Sequence, residues 1–241
     1  VFMPEGATIP KVQATLGYGA DVRFFGETIH QALGAAEQFS RDTGAVLIHP
    51  FDHPDVIAGQ GTLGLEIMDK MPEVRTVVVC TGGGGLLAGV ALAVKTTNPS
   101  VRVVGVQAEG AAAYPPSLAA GRPLALESMA TMADGIAVGR PGDLPFALVR
   151  DYVDDVTTVS EDEISRAVLL LLERAKLVVE PAGAAAAAAV LARPDAFEPP
   201  VAVVISGGLV SSPLLDAFVT PVLFARFGAR RAARRKMSGA A

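Results

Sequence analysis

Residues 76–94 read TVVVCTGGGGLLAGVALAV, an uncharged stretch in which four glycines separate two apolar runs. The stretch is long enough for a membrane-spanning helix, but each glycine would cost a helix about 1 kcal/mol relative to alanine. The β-branched run Thr76–Cys80 instead predicts a buried strand, and the run 86–95, which ends on a lysine, predicts a helix. The glycines would then form the turn between the two elements.

Glycines in such a turn fit two interpretations. Without Cβ atoms, Gly82, Gly83, Gly84 and Gly85 let several backbone N–H groups point at one anion, and the N-terminal end of the next helix adds partial positive charge. This glycine loop is therefore a candidate phosphate site. The alternative is a tight turn between a strand and a closely packed helix. The loop matches neither the dinucleotide-binding pattern GxGxxG nor the P-loop pattern GK[ST].

Strand-like and helix-like runs alternate along the first half of the chain. The strand-like runs are 21–25, 45–50, 76–80 and 101–107, and the helical patterns are 29–41, 59–71 and 86–95. This alternation predicts an α/β fold in which helices wrap an open, mostly parallel sheet. Ligands of such sheets bind at the carboxyl ends of the strands, where the glycine loop lies.

The pattern changes after residue 110. A segment rich in Pro, Gly and Ala, 110–150, interrupts the alternation, and Ser160 then begins a capping box for a predicted helix that ends at Lys176. After the strand-like run 177–179, six consecutive alanines at 184–189 predict a helix packed very closely on its neighbour. The last predicted strand is 201–205, which leads into the turn Ser206-Gly207-Gly208.

Composition and charge limit the classes of protein. The 241 residues are 51% hydrophobic, enough for one or two packed domains. The single cysteine, Cys80, allows no disulfide within the chain, which predicts a reducing compartment, the cytoplasm. The net charge is −5 although residues 226–241 contain six basic side chains and no acidic one. An acidic body disfavours nucleic acid, and the basic tail is interpreted as a solvated or frayed segment.

Seven sequence blocks, in this order, carry a resemblance to a known family: MPEGATIPKVQATLGYGA, HPFDHPDVIAGQGTLGLEI, TGGGGLLAGVA, VGVQAEG, ADGIAV, LLLLERAKLVVEPAGAAAAAAV and VVISGG. Together they resemble the threonine dehydratase (threonine/serine ammonia-lyase) branch of the fold-type II pyridoxal-phosphate enzymes, from Val1 to Pro213. The resemblance implies a tryptophan synthase β-like fold and pyridoxal 5'-phosphate as cofactor. It also implies conversion of L-threonine or L-serine into 2-oxobutanoate or pyruvate and ammonia.

The resemblance implies roles for individual residues. The glycine loop and the adjacent Leu86 match the segment that binds the cofactor phosphate through backbone amides. Ser206 matches the serine whose hydroxyl hydrogen-bonds the pyridine nitrogen. Gly135 and Glu180 match positions beside the cofactor ring, and Phe51 falls where side chains approach the cofactor. From the residues alone, Ser206 could instead cap a turn, Glu180 could be a surface carboxylate, and Gly135 and Phe51 could be ordinary packing residues.

Three features depart from the family pattern. Glu109 and the carbonyl of Ala113 match two ligands of a divalent-cation site in serine racemase-like relatives, but Pro115 stands where those relatives have an aspartate. Leu209 follows SGG where the family usually has Asn. The Schiff-base lysine, in a Ser-x-Lys block, and the Ser-x-Gly-Asn-His loop for the substrate carboxylate are expected before the MPEGA segment and do not occur in this sequence.

Without the Ser-x-Lys block, the sequence has no candidate for the Schiff-base lysine. None of the five lysines lies in the required context: Lys11, Lys70, Lys95, Lys176 and Lys236. We therefore expect that this chain by itself binds the cofactor weakly and is inactive, and that an N-terminal part is missing before Val1. Residues 1–50 would be the remainder of a small domain, 51–225 the large cofactor-binding domain and 226–241 the basic tail.

Two other functions fit the sequence less well. One is a serine racemase or another fold-type II enzyme of β-elimination or β-replacement. The other, from a different class, is a non-catalytic phosphate-binding module derived from the same fold. In the preferred interpretation the partners are a small amino-acid substrate and further copies of the chain, in a homodimer or homotetramer, with neither nucleic acid nor a membrane.

Overall fold

The computed structural model describes residues 1–7 and 9–206 and the backbone of residues 223–227. Contacts between Cα atoms separate two units, 1–49 on one side and 50–206 with 223–227 on the other. The predictions for Gly207, Gly208, Leu209 and Lys236 lie outside the described residues, as does most of the basic tail. The roles predicted for the domains stay predictions.

The first unit contains two short strands and two helices: β1 (Phe2–Met3), α1 (Ile9–Gly17), β2 (Arg23–Phe24) and α2 (Ile29–Thr43). β1 and β2 pair in parallel, and Thr28 and Gln31 form a capping box at the start of α2. The helix predicted at 29–41 is therefore confirmed. The strand predicted at 45–50 is wrong, because these described residues pair with no strand and leave Val46 and Ile48 89% and 78% exposed.

The second unit is built around a five-stranded sheet. Its strands are β3 (Thr76–Cys80), β4 (Arg102–Ala108), β5 (Asp155–Val159), β6 (Val201–Ile205) and β7 (Leu223–Phe227). They lie in the order β5-β4-β3-β6-β7; the first four are parallel and β7 is antiparallel to β6. The predicted open, mostly parallel sheet is confirmed. β7 crosses the predicted start of the basic tail at residue 226.

Helices cover both faces of this sheet. They are α3 (Pro54–Lys70), α4 (Gly85–Thr97), α5 (Tyr114–Ala120), α6 (Asp143–Tyr152), α7 (Glu161–Leu170) and α8 (Pro181–Ala192). Val78 and Cys80 pack in one apolar cluster with α7 and α8, whereas Val77 and Val79 pack in another with α3, α4 and α6. This alternation follows from the two-residue period of a strand and explains why β3 is buried on both faces.

Several boundaries differ from the sequence-based expectations. The strands at 76–80 and 201–205 have the predicted bounds, but β5 was not predicted, and the described residues 177–179 form no strand. The segment 110–150 contains α5 and most of α6, which ends at Tyr152. The helix predicted to reach Lys176 changes at Leu171 into a π-helical turn, which ends where Lys176 takes φ 60° and donates its N–H to the Leu171 carbonyl.

Small residues bring the helices close together, as predicted for the alanine run. Ala184 to Ala189 are all at most 1% exposed in α8, which packs on α7 and on the sheet. On the other face, α3 and α4 touch through glycines: a Cβ on Gly89 would overlap the Ile57 carbonyl and lie 2.7 Å from the Gly61 nitrogen. Across the described residues, no helix combines the length and apolarity needed to cross a bilayer.

Candidate functional site

The glycine loop leaves the carboxyl end of β3 and turns directly into α4. Gly84 is the N-cap of α4, with φ 99° and ψ −4°, and no side chain caps the helix. That conformation favours glycine, since L-residues rarely adopt a positive φ. The loop therefore presents main-chain atoms alone, in the place where the sequence predicted a phosphate site.

Six consecutive backbone N–H groups, those of residues 82–87, donate to no acceptor among the described residues. Hydrogen bonding resumes on either side of them: the Thr81 N–H reaches the Val106 carbonyl at 2.8 Å, and the Ala88 N–H reaches the Gly84 carbonyl at 2.8 Å. The first N–H groups of a helix have no partner within it and carry partial positive charge. This arrangement can bind an anion with two or three oxygens.

The loop has no room for side chains. A Cβ on Gly83 would overlap the Phe51 ring, and one on Gly84 would overlap the Tyr114 hydroxyl. A Cβ on Gly85 would lie 2.7 Å from the Phe51 carbonyl, and one on Gly82 would lie 3.1 Å from the Ile136 Cα. Phe51 thus contacts the loop, and the close packing that was one interpretation of the glycines is observed. Anion binding, the other interpretation, stays a prediction.

The opposite side of the loop is held by hydrogen bonds to the Gly83 carbonyl. It accepts from the Gly142 N–H at 3.0 Å and from the Tyr114 hydroxyl at 3.3 Å. Tyr114 is fully buried and stacks on Phe146. Burial raises the pKa of Tyr114, and the charge of Asp52 raises it further, so the phenol remains a hydrogen-bond donor.

Asp52 fixes the turn beside Phe51. Its carboxylate accepts from the Asp143 N–H at 2.8 Å and from the Leu144 N–H at 3.2 Å, and so caps α6. Sequence reasoning missed Asp52 and Tyr114. No local signal could have indicated the Asp52 cap, because it lies 91 residues before the first amide that it caps.

A second group of predicted residues gathers at the ends of β3 and β6. The Ser206 hydroxyl lies 3.5 Å from the Cys80 thiol, and a Cβ on Gly183 in α8 would overlap the Ser206 carbonyl. Burial raises the pKa of Cys80, and the charge of Glu180 adds to that increase against an opposing hydrogen bond from Ser206. The thiol is therefore protonated and unreactive at neutral pH.

The segment 134–138 lies between the two groups. A Cβ on Gly135 would lie 3.1 Å from a carboxylate oxygen of Glu180, while Ile136 approaches Gly82 as described above. The structure thus brings together six of the residues or segments predicted for the cofactor: the glycine loop, Phe51, Gly135, Glu180, Ser206 and Leu86 at the start of α4. Their binding roles stay predictions.

The structure offers no support for the metal ligands suggested by resemblance. The Ala113 carbonyl accepts from the Ser117 hydroxyl at 2.6 Å and from the Ser117 N–H at 3.3 Å, and Glu109 is exposed. Within the part of the chain that the structure describes, no three His, Cys, Asp or Glu side chains are grouped to hold a metal ion.

Comparison with known proteins relates most of the chain to one family. The family model for pyridoxal-phosphate dependent enzymes matches residues 1–207. The L-threonine ammonia-lyase of Thermotoga maritima is 48% identical over 219 residues, which are 91% of this chain and 55% of that protein. The catabolic L-threonine dehydratase TdcB of Escherichia coli K12 is 44% identical over 191 residues, 79% of this chain and 58% of that protein. The chain spans little more than half the length of these relatives.

Two solved structures are similar to this chain in both sequence and fold. The threonine deaminase of T.th. is 41% identical with a TM-score of 0.82, over 88% of this chain and 70% of that one. The maize serine racemase is 36% identical with a TM-score of 0.81, over 89% of this chain and 67% of that one.

Proposed function

Since the chain belongs to the family of pyridoxal-phosphate dependent enzymes, we propose that the protein containing it is a threonine/serine ammonia-lyase. Such an enzyme eliminates water from L-threonine or L-serine, and hydrolysis of the resulting enamine then takes up water and releases ammonia, which leaves 2-oxobutanoate or pyruvate. The observation that carries the proposal is the row of six N–H groups after β3 for which the described part of the chain provides no acceptor. The similarity to threonine ammonia-lyases supports the choice of substrate.

The residues present suit the cofactor of the family. A phosphate dianion needs several donors and close approach; the N–H groups of residues 82–87 provide the donors, and the absence of Cβ atoms at four consecutive glycines permits the approach. When bound, pyridoxal phosphate supplies a conjugated ring that withdraws electrons from the Cα of an amino acid. Leu86 would add its N–H to the phosphate contacts, and Phe51 would exclude water beside the loop.

Ser206 and Glu180 would act at the ring end of the site. Ser206 is a neutral hydroxyl, which can donate to a ring nitrogen without keeping it protonated, and this favours elimination over transfer of the amino group. Glu180 lies against Gly135 and near Cys80, so its carboxylate would border the ring.

Three lysines of the second unit lie among the described residues, and all three have partners away from the glycine loop. Lys95 pairs with Asp154 at 2.8 Å, Lys70 pairs with Glu66 at 3.3 Å, and Lys176 donates to the Glu173 carbonyl at 2.8 Å. These contacts lie at helix ends, so the described part of this unit brings no lysine to the glycine loop. That the 241-residue chain by itself is inactive stays a prediction.

The test is an assay of the complete gene product that contains these residues. With pyridoxal phosphate, we expect L-threonine to yield 2-oxobutanoate, detected by coupling to NADH oxidation with lactate dehydrogenase. Gly84→Ala should abolish the signal. Gly121→Ala should retain it, because Gly121 also has a positive φ but ends α5 and has open space at its Cβ position. A protein that binds pyridoxal phosphate and forms no 2-oxo acid from L-threonine or L-serine would refute the proposal.

Serine racemase activity is the second candidate, favoured by the similarity to the maize serine racemase. The same preparation is incubated with L-serine, and D-serine is measured by chiral chromatography beside pyruvate. An excess of D-serine over pyruvate would replace the lyase proposal by this one.

Location and assembly are part of the proposal. The single cysteine is free and buried, which supports the reducing environment of the cytoplasm. We propose a homodimer or homotetramer, by analogy with the symmetric assemblies that soluble enzymes usually form. Light scattering of the complete gene product would give the number of copies.

A further inference from the structure

Tyr114 lies directly behind the glycine loop and is not among the residues indicated by resemblance. Its hydroxyl donates to the Gly83 carbonyl at 3.3 Å, from the side where Gly142 donates at 3.0 Å. The two donors fix the direction of this carbonyl. A peptide unit is planar and trans, so its C=O and N–H point in opposite directions. The Gly84 N–H therefore points away from Tyr114. It belongs to the row of amides at 82–87 that have no acceptor in the described ranges.

Tyr114 is itself held from three sides. Its backbone N–H donates to the buried Gln107 side chain at 2.8 Å, and its ring stacks on Phe146 with 6.4 Å between centroids. Its hydroxyl occupies the position that a Cβ on Gly84 would need. A side chain that is 0% exposed and so confined cannot turn away without moving the loop.

We propose that Tyr114 is a positioning residue for anion binding, because its hydroxyl holds the Gly83–Gly84 peptide with the N–H directed at the phosphate. This inference rests on the proposed function, since the phosphate is that of the family cofactor. Without the hydroxyl, the peptide is held by Gly142 alone and its N–H direction is less defined. The affinity for the phosphate group falls, while contacts to the rest of the ligand are unchanged.

The test compares two ligands that differ only in the phosphate. Pyridoxamine 5'-phosphate and pyridoxamine are titrated by calorimetry into the complete gene product. The Kd of pyridoxamine divided by the Kd of pyridoxamine 5'-phosphate gives the contribution of the phosphate group to binding. Neither ligand reacts with a lysine. In Tyr114→Phe, which keeps the ring, we expect this ratio to fall about 3- to 10-fold, the effect of one hydrogen bond. Competition by inorganic phosphate should weaken by a similar factor.

Tyr152→Phe is the matched control, because Tyr152 ends α6 and lies outside the site. Its ratio should equal that of the wild type. If Tyr114→Phe does not fold, Phe146→Leu, which removes the ring that Tyr114 stacks on, should lower the ratio instead.

The outcomes separate this inference from the proposed function. If the ratio is large in the wild type and unchanged in folded Tyr114→Phe, the role of Tyr114 is overturned and the cofactor site remains intact. Where Tyr114→Phe does not fold, an unchanged ratio in Phe146→Leu has the same meaning. A wild-type ratio near one would show that the loop does not bind phosphate, and would overturn both.

Discussion

Gly84→Ala is the substitution that most directly probes the glycine loop. Gly84 has φ 99°, and a left-handed conformation costs an L-residue about 1–2 kcal/mol. The new methyl group would also overlap the Tyr114 hydroxyl and lie 2.8 Å from the Tyr114 Cζ and 3.1 Å from the Pro145 Cβ. An extra carbon in a packed space costs about 1–3 kcal/mol. We expect the free energy of unfolding to fall by about 2–5 kcal/mol.

Gly121→Ala is the control for the backbone contribution. Gly121 has φ 67°, but nothing lies within 4 Å of its Cβ position. This variant should lose only the backbone term, about 1–2 kcal/mol. Urea unfolding followed by circular dichroism measures both variants, and the difference between them gives the cost of the steric overlap.

A double variant tests which side chain causes that overlap. Tyr114→Phe removes the hydroxyl oxygen, which is the atom nearest the new methyl group, and keeps the ring carbon Cζ. The double variant Gly84→Ala/Tyr114→Phe should therefore be more stable than the sum of the single changes implies, by about 0.5–3 kcal/mol. If Gly84→Ala destabilises no more than Gly121→Ala, or if the two changes are additive, Tyr114 does not lie against the loop and the reasoning fails.

Three further predictions concern packing, pH and the sheet edge. Gly89→Ala should lower the free energy of unfolding in urea by about 1–3 kcal/mol through overlap with α3, whereas Gly59→Ala, with open space at its Cβ, should raise it by about 0.5–1 kcal/mol. Burial raises the pKa of Cys80 in the folded state above its ordinary 9.0, so unfolding above about pH 9 releases a proton and stability falls as the pH rises. Urea unfolding at a series of pH values above about 9 should show a less steep fall in Cys80→Ala than in the wild type. Asp154→Ala should cost about 1–3 kcal/mol in urea, because the Val103 N–H loses an acceptor at 2.7 Å, and Asp154→Asn should cost less.

Local patterns in the sequence predicted the elements whose causes are local. The β-branched runs at 76–80 and 201–205 form strands with the expected bounds, and Ser160 with Glu163 forms the expected capping box. Six alanines predicted the close packing of α8, because a residue without a long side chain allows near contact in any context. The position of the glycine loop followed from the order of strand, turn and helix.

Other features depend on pairing partners that the local pattern does not reveal. The run 45–50 has strand-like composition but finds no neighbouring strand, whereas 155–159, with polar residues among its valines, is a strand because it pairs with β4. β-propensity reports how a side chain suits a pleated surface, and the presence of a neighbour decides the outcome.

The sequence by itself determined the α/β class, the central strand and the glycine turn, since each arises from residues adjacent in the chain. Only the tertiary structure decided which side chains surround that turn. Tyr114 reaches Gly83 across 31 positions, and Asp52 caps α6 across 91. Such contacts depend on how the sheet and its helices pack, because a hydrogen bond requires atoms about 3 Å apart in space whatever their separation in sequence.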